Sequence, residues 1–227
     1  MSETCCPTRK GALVGAKDSM LFYADGGDVR QILRSAPAID RDATQALVER
    51  LHPGRRVVEI GDGTLLDHAY PPEGYLYAAC FPGLTVICTQ DLTVDDRPSR
   101  LGGTFRAEAR GRTLYLHTML STVDWFAYAI WDADGTLRRA LSVDPDSGIL
   151  ENTGTPLPFE ADYWAGRRPV EIDEDDPDPS YPLPFHPLEM AEDALRALFG
   201  FIYEGYVEDD DPDLDEIVLA GYRLAHH

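Results

Sequence analysis

The chain is 227 residues long and carries 40 acidic side chains against 20 basic ones, a formal net charge of −20. That balance disfavours nucleic-acid backbones, which need a basic footprint, and anionic membrane surfaces, and no apolar run reaches the roughly 18–20 residues that span a bilayer. A hydrophobic fraction of 44% with 10% aromatic residues belongs to a folded globule and excludes an acidic disordered polymer.

Residues 1–17 are polar and without periodicity, and read as a flexible N-terminal arm. No signal-peptide pattern precedes them, and Cys5 and Cys6 lack the spaced partners of a zinc site, so a reduced, cytoplasmic protein is expected. Ser19 to Ala24 is a short apolar run ending at Asp25-Gly26-Gly27, a buried strand entering a turn. Val29, Ile32, Leu33 and Ala36 then recur at helical spacing before Pro37. A second helix has Asp40 as N-cap, Ala43, Leu47, Val48 and Leu51 on one face, and His52-Pro53-Gly54 as its stop. Arg56 to Ile60 is a further strand, and the Gly61-Asp62-Gly63-Thr64 segment after it reads as a turn.

The pattern then turns to strands. Tyr75 to Cys80 and Leu84 to Thr89 flank Phe81-Pro82-Gly83, a Pro-Gly bend that predicts a hairpin. If residues 81 and 84 close it, Cys80 faces Thr85 and Cys88 faces Tyr77, a register in which the two cysteines cannot bond. Both are expected to be small core residues. Thr113 to Leu120, Trp125 to Trp131 and Leu137 to Val143 add three strands, the last two joined by Asp132-Ala133-Asp134-Gly135. The middle one is apolar on both faces and belongs inside a sheet covered on each side. Gly148 to Asn152 reads as a short edge strand.

After Gly154 prolines recur too often for central strands, and an extended surface segment is expected. Leu188, Ala191, Leu195, Leu198 and Ile202 mark one strong helix, opened by Pro187 and ended at Gly205, and Ile217 to Leu224 reads as an edge strand. Together these elements predict an α+β fold: a largely antiparallel sheet covered by two to three helices, with a Pro-rich acidic C-terminal segment, in one domain over 18–227. The charge is uneven. Residues 160–227 hold 19 Asp/Glu against 4 Lys/Arg, whereas residues 1–159 hold 21 against 16. Most of the excess therefore comes from Glu171 to Asp178 and Glu208 to Glu216.

Several phrases occur together: GAKDSMLFYADG at 15–26, GDGTLLDHAYPPEG at 61–74, CFPG at 80–83 and DRPSRL at 96–101. LHTMLSTVDWFAYAIW at 116–131, PLPFEADYWAG at 156–166 and YPLPFHPLEMAEDALRALFGF at 181–201 continue the set. In these the chain resembles an uncharacterised actinobacterial family of acidic cytosolic proteins, a domain of unknown function. The resemblance runs from about residue 15 to 224 and implies no activity, cofactor or site residue.

Candidate chemistry is sparse. Asp62, Asp67 and His68 form the densest mixed cluster, a carboxylate–imidazole set suited to acid–base work or a metal, although neighbouring side chains in extended backbone point apart. Loop capping is the simpler reading. Arg97, Ser99 and Arg100 are the one compact basic spot and suit a phosphate or carboxylate, or the protein's own acids. His117, Ser121 and Asp124 offer triad residue types without the glycine elbow, so Ser121 to Asp124 reads more simply as a turn. Neither acidic run has the spacing of a calcium loop. No catalytic residue, metal site or cofactor is expected.

What remains is a non-enzymatic module that binds a basic protein partner through an acidic surface, with no nucleic acid or membrane as partner. Aromatic anchors beside charge are the expected contacts: Trp164, Tyr181 and Phe185 next to Glu171, Asp173, Glu174, Asp175 and Asp176. The alternatives are an enzyme or small-ligand binder with a pocket near Asp62, His68 and Arg97, and an inhibitor whose acids mimic DNA phosphates.

Overall fold

The structure is a computed structural model that describes residues 16–93, 95–170 and 181–225. Cys5, Cys6 and the acidic run holding Glu171, Asp173, Glu174, Asp175 and Asp176 lie outside the described residues.

Nine strands form one sheet: β1 (Lys17–Ala24), β2 (Arg56–Thr64), β3 (Tyr75–Phe81), β4 (Leu84–Cys88), β5 (Thr113–Leu120), β6 (Trp125–Trp131), β7 (Leu137–Asp144), β8 (Gly148–Gly154) and β9 (Val218–Ala225). Their order is β2-β9-β3-β4-β1-β5-β6-β7-β8, and every pairing is antiparallel. Among the described residues five α-helices punctuate it: α1 (Val29–Arg34), α2 (Arg41–Leu51), α3 (Gly103–Glu108), α4 (Ala161–Trp164) and α5 (Pro187–Phe199).

Side chains alternate across each strand, so one sheet separates two cores. From β1, Met20, Phe22 and Ala24 face the core beneath α5, where Phe22 stacks on Phe199 at 4.1 Å. Leu21 and Tyr23 face the other, with Leu47, Val48 and Leu51 of α2 and Phe105 of α3. β6 is buried along its whole length, with Phe126, Tyr128 and Ile130 on the first face and Ala129 and Trp131 on the second. Each such fully buried large side chain contributes about 1.5–3 kcal/mol.

The α+β expectation of a helix-covered sheet is overturned: strand accounts for 34% and helix for 25% of the described residues. Only α2 and α5, at 11 and 13 residues, exceed two turns. Much of the cover over the first face comes from loop residues instead, among them Leu65, Ala69, Leu183, Phe185, Leu214 and Ile217. Proline-rich chain lacks the donors to build helix or inner strand, yet its apolar side chains still close a core.

Local expectations fare better. The hairpin pairs Phe81 with Leu84, Cys80 with Thr85 and Tyr77 with Cys88, around Gly83 at φ 79°. Cys80 and Cys88 are free thiols. The Asp40 side chain caps α2 by accepting the Ala43 N–H at 2.9 Å, although Thr44 rather than Ala43 turns inward. Three readings change. Gly61 to Thr64 is no turn but the second half of β2, entered through an irregularity between Glu59 and Gly61, where Gly61 has φ 106°. β9 is no edge strand; it lies between β2 and β3. α5 stops at Gly200, whose left-handed φ of 79° lets its N–H reach the Leu195 and Arg196 carbonyls, so Ile202 falls beyond the helix. Among the described residues no helix is long and apolar enough to cross a membrane.

Candidate functional site

The polar residues singled out from the sequence lie at opposite edges of the sheet. On β2, Asp62 forms a two-pronged pair with Arg41 at 2.9 and 2.6 Å, which holds its carboxyl below the usual range. Asp67 is exposed, its backbone N–H on Thr64 Oγ1 at 3.3 Å. His68 Nδ1 accepts the Thr64 N–H at 3.2 Å, and its ring lies 4.1 Å from Tyr77. The turn Pro98–Arg100 instead packs on β6 and β7. There the Arg97 N–H and Arg100 Nη1 both donate to Asp95, at 2.9 and 3.3 Å, and the Ser99 N–H donates to Glu151 of β8 at 3.1 Å. At about 4.8 Å per strand, β2 and β7 are roughly 34 Å apart across the sheet, so the two groups do not share a pocket.

The aromatic candidates point inward. Phe185 is fully buried, and Trp164 packs edge-on against it at 5.2 Å. The Trp164 Nε1–H donates to Glu160 at 2.8 Å. Tyr181 stacks on His186 at 5.8 Å, with its hydroxyl buried and unpartnered among the described residues. Glu160 is the hub of a network that sequence reading missed. Arg139, fully buried like Glu160, donates to it at 2.9 and 2.5 Å, and to Asn152 Oδ1 at 2.6 Å. The Tyr128 hydroxyl and Leu157 N–H complete the shell at 2.5 and 2.7 Å. Burial pushes the Glu160 carboxyl up, but the donors from Arg139, Trp164 and Tyr128 outweigh it and leave it below its ordinary range. The network fastens the turn Pro158–Glu160 and α4 to β6, β7 and β8.

The triad reading of His117 dissolves. Its Nδ1 lies 2.8 Å from Asp18 Oδ1 and its Nε2 donates to the Ala191 carbonyl at 3.1 Å, with both side chains fully buried. A carbonyl only accepts, so Nε2 holds a proton, and the Nδ1 contact needs another shared with Asp18. Neither nitrogen is left for a nucleophile. Ser121 and Asp124 sit in the β5–β6 turn, where Asp124 is 3.7 Å from His186 Nε2. In the second acidic run, Glu208, Asp210 and Asp211 converge closely enough to hold a cation. Arginines already answer them: Arg30 lies 2.8 Å from Asp210 and Arg196 3.0 Å from Asp211.

Acid meets exposed apolar surface at Tyr206 and Val207 beside Glu208, and again in a cleft at one end of the sheet. At the turn ends of β5–β8 a cleft of about 340 Å³ is lined by Leu120, Val123, Trp125, Leu150, Thr93 and Ser147, with Asp96, Asp144 and Asp146 as its charged members. Among the described residues no basic side chain lines it. Val123 is 56% exposed and Ile149, which adjoins Leu150 in the chain, 48%. Two irregularities shape the site. Leu150 is the extra residue of a bulge, since Ile149 pairs with Val143 and Glu151 with Ser142. Asp124 holds a left-handed φ of 49° between Val123 and Trp125. Bulges and strained turns of this kind re-aim side chains and cluster at functional sites. A larger cleft of about 570 Å³ lies beside α3; its Arg50 and Arg110 both face Glu108, at 2.8 and 3.6 Å, so its cations are already paired with an acid and suit a basic partner poorly. Sequence reading found Arg97, Ser99 and Arg100 next to Asp96, but not the cleft itself. The alternation of apolar Val123 and Trp125 with acids at two successive turns was its only local signal.

A family model described as a family of unknown function, DUF6928, matches residues 18–222, and the chain belongs to that family. No curated protein and no solved structure matches it.

Proposed function

We propose that the protein is a non-enzymatic binding module that engages a basic protein partner through the aspartate-rimmed cleft at the β5–β8 turns. The observation that carries this reading is the lining of that cleft: apolar Leu120, Val123, Trp125 and Leu150 together with Asp96, Asp144 and Asp146, with no base among the described lining residues. Lysine and arginine bury an aliphatic stem while keeping a charged head in water, and an apolar lining beside aspartates matches both parts. The rim also repels phosphate and steers cationic partners inward. This acidic surface differs from the C-terminal one expected from the sequence, since Asp96, Asp144 and Asp146 all lie within the first 159 residues. A non-enzymatic role is supported by His117, whose two nitrogens are both committed to structural bonds. Resemblance to cytosolic actinobacterial sequences supports placing the module in the cytoplasm.

Calorimetric titration with a short synthetic peptide alternating Lys or Arg with Leu tests the reading, against the same peptide carrying Glu. Three exposed pairs at about 0.5 kcal/mol each predict that D96N/D144N/D146N weakens binding about tenfold. Equal binding by the triple variant, or by the Glu peptide, would overturn the proposal.

A further inference from the structure

We infer that the cleft beside α3 binds a small ligand through a phosphate or carboxylate group held between Arg50 and Arg110. It shares no lining residue with the aspartate-lined cleft, so its failure would leave the binding reading untouched. Gly103, Thr104, Ala107 and Glu108 complete the lining, in a volume of about 570 Å³. Two guanidinium groups there face one carboxylate, which makes a positive site on a chain of net charge −20. Arg106, exposed on the same helix, has no acidic partner among the described residues and adds to that field.

Glu108 orients the two cations without exhausting them. Its side chain is buried, and Arg50 approaches it side-on, Nε at 3.2 Å and Nη2 at 2.8 Å, which leaves Nη1 without a hydrogen bond among the described residues. Arg110 Nη2 stops 3.6 Å away, an ion pair too long for a hydrogen bond, so its N–H donors stay open. Burial pushes the Glu108 carboxyl up, but the Arg50 hydrogen bonds and the charges of Arg50, Arg110 and Arg112 outweigh it, and the carboxylate keeps its hold. The turn that carries Arg110 is fixed in place. Arg112 donates to the Ala109 and Glu108 carbonyls and to Thr85 Oγ1, each at 3.0 Å, and its guanidinium lies 4.7 Å from the Tyr23 ring centre. Arg110 itself holds a left-handed φ of 49°, a strained conformation of the kind that collects at ligand sites. Two guanidinium forks with open N–H groups suit the oxygens of a phosphate or a carboxylate. Among the described lining residues only Ala107 brings an apolar side chain, so the ligand is polar. The protein's overall negative charge repels a long polyanion, so it is also small.

Calorimetric titration of the full chain with inorganic phosphate, and separately with citrate, tests the site. Binding of either supports it, and the tighter of the two shows whether phosphate or carboxylate is the preferred group. Arg110→Gln alters an exposed side chain and should weaken that binding about tenfold or more, the usual loss for a charge-assisted hydrogen bond. Arg106→Gln removes a neighbouring charge outside the lining and should weaken it less than about threefold, since screening blunts a distant charge. Binding that survives Arg110→Gln, or equal losses in the two variants, would mark a diffuse field and overturn the inference. So would the absence of heat from both anions up to about 10 mM. A second readout locates the ligand. On adding the tighter anion, the backbone ¹H–¹⁵N signals of Gly103, Thr104 and Ala107 should move, while those of Val123 and Ser147 in the other cleft hold still. Movement at Val123 and Ser147, or none along α3, overturns the inference as well.

Discussion

Glu192 lies on α5 with its carboxylate accepting the backbone N–H groups of Tyr203 and Glu204 at 2.9 and 3.1 Å. Burial pushes the carboxyl up to about 7 from its ordinary 4.5; the two N–H donors oppose that rise, and nearby Asp18 adds to it. Between those values the folded state holds a proton that the unfolded state has lost, so stability falls as pH rises through this window. A shift of that size corresponds to at most about 3 kcal/mol. Glu192→Gln keeps an acceptor for one N–H and never ionises. Relative to wild type it should therefore gain stability steadily from about pH 5 to about pH 8, ending more stable by about 2 kcal/mol once a weakened hydrogen bond is subtracted. His52, whose pKa burial lowers, works in the opposite direction in part of this range, but it is common to both proteins and cancels in the difference. Urea denaturation of both proteins across the range measures that difference. A constant offset would mean that the folded protein holds Glu192 ionised throughout and would refute the reasoning.

Three further outcomes follow from the core and its turns. Glu160→Gln leaves the Arg139 guanidinium buried without its counter-charge and should cost about 3–5 kcal/mol in chemical denaturation. Breaking the exposed Arg167–Asp162 pair should cost under about 1 kcal/mol, and equal losses would contradict the buried network. Gly154→Ala combines a φ of 85° with a Cβ driven into the Arg138 carbonyl, whereas Gly135→Ala, at φ 84°, meets open space. The first should destabilise by clearly more than the roughly 1–2 kcal/mol of left-handed strain expected for the second, as melting curves would show. Burial pushes the Cys88 thiol up, so a thiol reagent followed by peptide mass mapping should label half-buried Cys80 well before Cys88 in the native protein. Matching rates would place Cys88 nearer the surface.

What could be read from the chain tracks how local the cause is. The 75–88 hairpin was legible down to its register because Pro82-Gly83 sets the turn and the pairing follows by counting. The α2 cap was legible because Asp40 reaches only three residues ahead. The end of α5 was misread for want of one local fact, that Gly200 adopts the left-handed cap, since apolar spacing continued past it to Ile202. The site candidates show the converse. Asp18 and His117 are 99 residues apart and meet only because β1 pairs with β5. Arg139 sits in a segment that already reads as a strand, yet nothing nearby marks it as buried, because its partner arrives on a separate turn. Trp164 and Phe185 read as surface anchors from their acidic neighbours, while packing turned them inward.

The sequence by itself determined the charge asymmetry, the strand and turn chemistry, and the two-faced burial of β6, since each depends on composition or on neighbours a few residues away. Tertiary structure alone decided that β9 inserts between β2 and β3, that loops close much of one core, and that the turns after β5 and β7 meet in an aspartate-rimmed cleft. Strand neighbours are chosen by which apolar faces bury each other best across the whole chain, and no window of sequence contains that competition.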